Sequence, residues 1–199
     1  MLFRSELYAL TLIGSCAYGC LFLYLYNNHA NIKKIFKESR DFMEKTNAMR
    51  LVEQKNLPYT PHVCGSPALL NALDVAGFLG QDPQRVFKTL VTEGKAGNYY
   101  VFMLPAPAQL DLKRAAQLVG GKSVKMLKSK ELFPLTGYVH GGCSPLGMKK
   151  AFPTFIDISC RQWQTIFFSA GKIGWQIEMS PGDLFNILPI KEAELSIKD

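Results

Sequence analysis

Lys88-Thr89 interrupts the apolar run Val86 to Val91, and a cation in such a place has two outlets. It can thread its stem to the surface, or it can face a cleft and meet an anion. Two glycine-rich segments offer a second kind of chemistry. In Gly141-Gly142-Cys143-Ser144-Pro145-Leu146-Gly147 the paired glycines admit a close ligand approach that a Cβ forbids, and their bare N–H groups could line an oxyanion or carbonyl site. A tight turn is the plainer reading. Ser169-Ala170-Gly171-Lys172-Ile173-Gly174 has the same character. No nucleophile elbow, HExxH or P-loop occurs, and the three histidines are widely separated. Cys143 lies close to His140, but a nucleophilic cysteine needs a positioned base, which sequence proximity does not supply.

Five cysteines (Cys16, Cys20, Cys64, Cys143, Cys160), with no CxxC pair, argue against a zinc site and against a secreted disulfide framework. They point to a reducing compartment. The net charge of +7 is concentrated. Between Lys88 and Lys150 ten Lys/Arg face three acids (Glu93, Asp111, Glu131), an excess that suits a polyanion through phosphate contacts. A lysine-decorated solvated surface gives the same count.

The elements that must position these groups follow from periodicity and caps. Thr46 to Lys55 reads as a short amphipathic helix ending near Asn56, and Pro58 to Val63 as an edge strand. Ser66-Pro67 is an expected N-cap and first turn for a helix from Ala68 to Leu79, closed by Gly80. Strands are expected at Val86–Val91 and Tyr99–Leu104, around a hairpin loop at Gly94 to Asn98. Asp111 caps a helix that stops at Gly120-Gly121. Further strands are expected at Gly137–His140, Thr154–Asp157, Thr165–Ser169 and Trp175–Met179. Ser180-Pro181 then caps a last helix, Gly182 to Leu188. Short strands with interspersed helices predict an α/β chain of the α+β type, with a mixed, largely antiparallel sheet flanked by helices.

Leu7 to Tyr26 carries no charge and is long enough to cross a bilayer, with Lys33, Lys34, Lys37 and Arg40 after it. The expected organisation is therefore an N-terminal apolar segment, 1–43, and a body, 44–199. The segment is either a membrane anchor that leaves the body in the cytoplasm or an upstream extension from a start site ahead of Met43.

The order of the motifs resembles that of a known family. Val86-Phe87-Lys88-Thr89-Leu90, Gln109-Leu110-Asp111-Leu112-Lys113 and Thr136 to Gly147 are followed by Pro153-Thr154-Phe155-Ile156-Asp157, Phe168-Ser169-Ala170-Gly171-Lys172 and Ser180-Pro181-Gly182-Asp183-Leu184. This succession is similar to the YbaK/EbsC family, related to the editing domain of bacterial prolyl-tRNA synthetase. The resemblance covers roughly Lys45 to Asp199. It implies a trans-acting aminoacyl-tRNA deacylase that removes cysteine from Cys-tRNA(Pro) and from Cys-tRNA(Cys), with no metal and no cofactor. The substrate's own thiol would attack the ester carbonyl, a lyase-type cleavage; attack by water on another small aminoacyl group would make it a hydrolase. The resemblance assigns Lys88, Gly141 and Gly142 to catalysis, and Thr89, Ser144, Pro145, Ser169 and Gln176 to substrate binding. Expected partners are the tRNA 3′ CCA end and acceptor stem, and prolyl-tRNA synthetase. Family members carry an Asp where this chain has Gln176, and a Tyr near the position of Cys64. A catalytically silent tRNA- or synthetase-binding module is the alternative.

Overall fold

The computed structural model describes residues 45–64 and 71–197. The apolar run 7–26 and the Ser66-Pro67 cap lie outside them. Among the described residues no helix is long and apolar enough to cross a membrane.

Helix α1, Asn47–Gln54, starts where the Thr46 hydroxyl accepts the Met49 N–H at 3.3 Å, and it buries Ala48, Met49 and Val52 on one face. Strand β1, Thr60–Val63, occupies the sheet edge, where Pro61 removes no needed donor. Helix α2 is described over Ala72–Leu79, with Asn71 as its N-cap. Strands β2, Val86–Glu93, and β3, Tyr99–Pro105, form an antiparallel hairpin. The Asp111 carboxylate accepts two N–H groups to open α3, Leu112–Leu118. Then come β4, Lys125–Met126; α4, Ser129–Thr136; β5, Thr154–Asp157; β6, Ile166–Ser169; and β7, Trp175–Met179. Helix α5, Pro181–Ile187, and β8, Ile190–Ala193, close the chain.

The eight strands form one sheet in the order β1-β7-β6-β2-β3-β5-β8, with β4 on β2. Four pairings are antiparallel (β1/β7, β2/β3, β2/β4, β6/β7) and three parallel (β2/β6, β3/β5, β5/β8). Residues paired across neighbouring strands share a face. Phe87, Met103, Ile156, Phe168 and Ile177 pack under α1 and α5. On the other face Phe102, Leu104 and Phe155 pack against α3, and Val86, Ala106 and Phe167 against α2. Each fully buried phenylalanine contributes about 1.5–3 kcal/mol.

Three details differ from expectation. Gly137–His140 is not a strand. Gly137, at φ 83°, ends α4, and the Tyr138 N–H turns back to the Thr136 hydroxyl at 3.1 Å. Helix α4 contains Pro134, which disguises it in sequence. Strands β4 and β8 form without a strand pattern in the sequence.

Candidate active site

Strand β2 is paired along its full length on one edge only. On the other edge β6 pairs with Val86 and Phe87, and β4 with Thr92 and Glu93. Between them, Lys88 to Val91 have no strand partner among the described residues. The Val86 carbonyl points to β3, where it accepts the Ala106 N–H at 2.7 Å, and the Val91 carbonyl accepts the Leu127 N–H at 3.0 Å on the opposite edge. Alternation along the strand therefore aims the Thr89 N–H and C=O into the opening. A cavity of about 370 Å³ lies there. Because Lys88 and Thr89 both line it, the cavity is walled from both faces of the sheet.

Lys88 is half-buried, and its Nζ donates to the Ala106 carbonyl at 2.8 Å. Burial pulls its pKa below the ordinary lysine value. No carboxylate pairs with it among the described residues. The cation thus takes the cleft rather than the surface. Thr89 Oγ1 is buried and has no hydrogen-bond partner among the described residues. Gly141, Ser169 and Gln176 also line the cavity. The Ser169 hydroxyl accepts the Gly171 N–H at 3.3 Å. Gln176 sits directly across from Ser169 on β7.

Gly142, Ser144 and Pro145 are not brought to the cavity wall. The Gly142 N–H donates to the Val139 carbonyl at 3.1 Å, so it is spent on closing the turn. A Cβ on Gly142 would approach Ile173 N to 3.0 Å and the Lys172 carbonyl carbon to 3.2 Å. That glycine lets the two loops touch. Ser144 is buried, and its hydroxyl accepts the Leu146 N–H at 3.3 Å. Tyr138 braces the same pair of loops. Its hydroxyl donates to the Leu146 carbonyl at 2.7 Å, and burial raises its pKa to about 12, so the donor proton stays on. Gly171, at φ 95°, leaves room for the Tyr138 ring; a Cβ there would lie 2.7 Å from Cε1.

The far wall of the cavity carries none of the sequence motifs. Asn71 and Val75 of α2, and Met126, Leu127, Ser129 and Leu132 around β4 and α4, complete the cavity. The lysine-rich stretch from Lys122 to Lys130 was the available signal, since Lys122, Lys125, Lys128 and Lys130 are exposed beside those lining residues. Cys143 lines the cavity too, but burial raises its pKa to about 12. It is held as the protonated thiol, which disqualifies it as a ready nucleophile despite the nearby His140. Cys64 is buried with Val75 and Phe167 and does not line the cavity.

Residues 66–187 match the model of the aminoacyl-tRNA editing domain. A relative in Enterococcus faecalis, EbsC, described as a Cys-tRNA(Pro)/Cys-tRNA(Cys) deacylase, is 44% identical over 157 residues, spanning 78% of this chain and 96% of its own. The proline–tRNA ligase of Pelobacter propionicus is 26% identical over 96 residues, 48% of this chain and 17% of the ligase. Among solved structures, one described as a trans-editing enzyme for prolyl-tRNA synthetase superposes with a TM-score of 0.66 at 23% identity, covering 76% of this chain and 93% of that one.

Proposed function

The chain belongs to the aminoacyl-tRNA editing domain family, and on that premise we propose that it removes cysteine from Cys-tRNA(Pro) and Cys-tRNA(Cys) by letting the substrate's thiol do the chemistry. Sulfur attacks the acyl carbon, a C–S bond forms, and the ester C–O bond to the ribose breaks. The thiol proton ends on the ribose oxygen. The observation that carries this reading is a cavity that, among the described residues, presents a cation and strand-edge backbone groups but no prepared nucleophile: the cysteine lining it is buried and protonated.

Within this reading Lys88 engages the ribose or phosphate of the 3′ end, and the Thr89 N–H and Gly141 face the acyl group. Gly142, Ser144 and Pro145 act indirectly by holding the loop that carries Gly141. Ser169 and Gln176 contact the aminoacyl moiety. Exposed Lys122, Lys128 and Lys130 at the β4 and α4 side hold acceptor-stem phosphates, giving affinity without sequence readout. The similarity to part of a proline–tRNA ligase supports prolyl-tRNA synthetase as a protein partner. The editing body, 44–199, works as one unit, with 1–43 as an appended segment.

The test is deacylation of tRNA(Pro) carrying cysteine, alanine or serine by the full-length chain. Cysteine is expected to leave at least about tenfold faster than the other two, since only its thiol can attack intramolecularly. Equal rates would assign the attack to water. Salt-sensitive tRNA binding without turnover would make the chain a binding module.

A further inference from the structure

The cavity is unbalanced in charge. Among the described residues lining it, Lys88 is a cation and none is a carboxylate. None of the carboxylates on the surrounding elements lines it: Glu93 of β2 pairs with Lys125 at 3.0 Å, and the charge of Glu131 on α4 acts on the same lysine. Glu178, two residues along β7 from Gln176, receives His62 of β1 at 2.9 Å, Arg85 at 2.6 Å and the Thr165 hydroxyl at 2.7 Å. Asp74 of α2 is bound by the Asn71 carboxamide. Neither carboxylate lines the cavity.

Gln176 does line it. It is 5% exposed and shares a face with Ser169 and His62. Its carboxamide is not among the polar atoms sealed without a partner, so it opens onto the cavity, where water or a ligand completes its hydrogen bonds.

We infer that Gln176 recognises the α-substituent of the bound acyl group as an uncharged hydrogen-bonding group, so that the chain cleaves α-hydroxyacyl esters of the tRNA 3′ end alongside aminoacyl esters. The inference rests on the deacylase reading above. An ammonium group here would share an enclosed space with Lys88 and find no counter-charge. A neutral amine both donates and accepts, as does a hydroxyl, and a carboxamide answers both. Free α-amino groups titrate at about 7.7–8.0, so about a tenth to a sixth of the substrate is uncharged at pH 7 and about half or more at pH 8. For the 2-hydroxy analogue of cysteine the step is unchanged. Sulfur bonds to the acyl carbon, the ester C–O bond breaks, and the thiol proton passes to the ribose oxygen. The products are a hydroxy-β-thiolactone and free tRNA, with no change of oxidation state.

The experiment compares one tRNA(Pro) acylated with cysteine or with its 2-hydroxy analogue, as kcat/KM for the full-length chain at about pH 6.5, well below the amine pKa, and at about pH 8.0, at or just above it. Near pH 8.0 the two esters are expected to react within about threefold of each other. Toward pH 6.5 the cysteinyl ester is expected to lose about tenfold relative to the hydroxyacyl ester, as its amine protonates. Lys88, His140 and Cys143 line the cavity with either substrate, so the ratio reads the substrates' own difference, the amine and its effect on the neighbouring thiol. Gln176→Glu supplies the missing counter-charge and is expected to reverse the order near pH 6.5. Unchanged preference in a folded Gln176→Glu enzyme overturns the role of Gln176, and the wild-type comparison stands even if that variant misfolds. A hydroxyacyl ester slower by more than about a hundredfold at both pH values, a loss of the size seen when a required polar contact is missing, overturns the inference and leaves the deacylase intact. Cleavage of neither ester overturns both.

Discussion

Asp157 and Gln176 are almost equally buried, at 6% and 5% exposure, yet the fold treats them in opposite ways. At the β5–β8 end of the sheet, Asp157 accepts the N–H groups of Ser159, Leu195 and Ser196 and the Ser196 hydroxyl, all within 2.9–3.2 Å. At the β2–β7 opening, Gln176 has no such partner among the described residues. The cations repeat the contrast. Arg85 is clamped by Glu178, Thr165 and Gln81, whereas the Lys88 ammonium holds a single carbonyl. A polar group sealed without a partner is unfavourable, as at Thr89 Oγ1, whereas the Gln176 carboxamide opens onto the cavity. The polar groups away from the cavity, on Asp157 and Arg85, are fully engaged within the fold; those that line it, on Lys88 and Gln176, are not.

The largest expected effect breaks the site end. Lys88→Ala is expected to slow deacylation by about 10²–10³-fold, the loss typical of removing one electrostatic contact to the reacting group. Folding stability is expected to hold, because the lost cation was already disfavoured by burial. Single-turnover deacylation and thermal unfolding of the same preparation check both halves. A variant that unfolds early while its folded fraction reacts normally would move Lys88 to the structural side of the comparison.

Next in size is the opposite failure. Asp157→Asn puts an amide donor against N–H groups that need an acceptor, and is expected to cost about 2–4 kcal/mol, given about 1.5–3 for a hydrogen bond to a charged group. The folded fraction should deacylate at the wild-type rate. Burial raises the Asp157 pKa, but the hydrogen bonds from Ser159, Leu195 and Ser196 outweigh it and leave the net value depressed. A depressed carboxylate pKa contributes stability above the unfolded value, about 3.9. That contribution fades as pH falls through the folded value. Wild type and variant are thus expected to differ fully near neutrality and to converge below about pH 3.9. Denaturant titrations across that range test the sign.

The stability end was easier to read from sequence than the site end. Phe87, Phe102, Phe155 and Phe168 announce strands by apolar density, and Thr46, Asp111 and Ser180 announce helix starts through their caps. Helix α4 stayed hidden because Pro134 and Gly137 both argue against a helix or its continuation. Strand β4 is too short to carry a pattern, and β8 is masked by Lys191 and Glu192. Lys88 could be flagged as out of place, but its destination depends on the gap between β6 and β4, a matter of pairing that no local pattern contains. The same holds for the glycine pair. Gly141 faces the cavity and Gly142 faces the 169–174 loop, because the Val139 carbonyl takes the Gly142 N–H. Neighbouring identical residues cannot be told apart without that contact.

The finest test lies on β2 itself, where Thr89 Oγ1 is buried without a partner. Thr89→Val keeps the shape and β-branching while removing the hydroxyl, so packing and strand propensity are nearly preserved. If the hydroxyl is held in reserve for substrate, the empty protein should gain about 1 kcal/mol, the low end of the cost of a buried unpaired hydroxyl. In a domain of this size that raises the melting temperature by about 2–4 °C. The same change should slow deacylation by about tenfold, equivalent to one lost neutral hydrogen bond of about 1.4 kcal/mol. Stability and activity then move in opposite directions from one atom. A variant that loses stability would show that Thr89 belongs with Asp157, serving the fold. Gained stability at full activity would remove the hydroxyl from the substrate contacts and leave the Thr89 backbone as the group that faces the acyl ester.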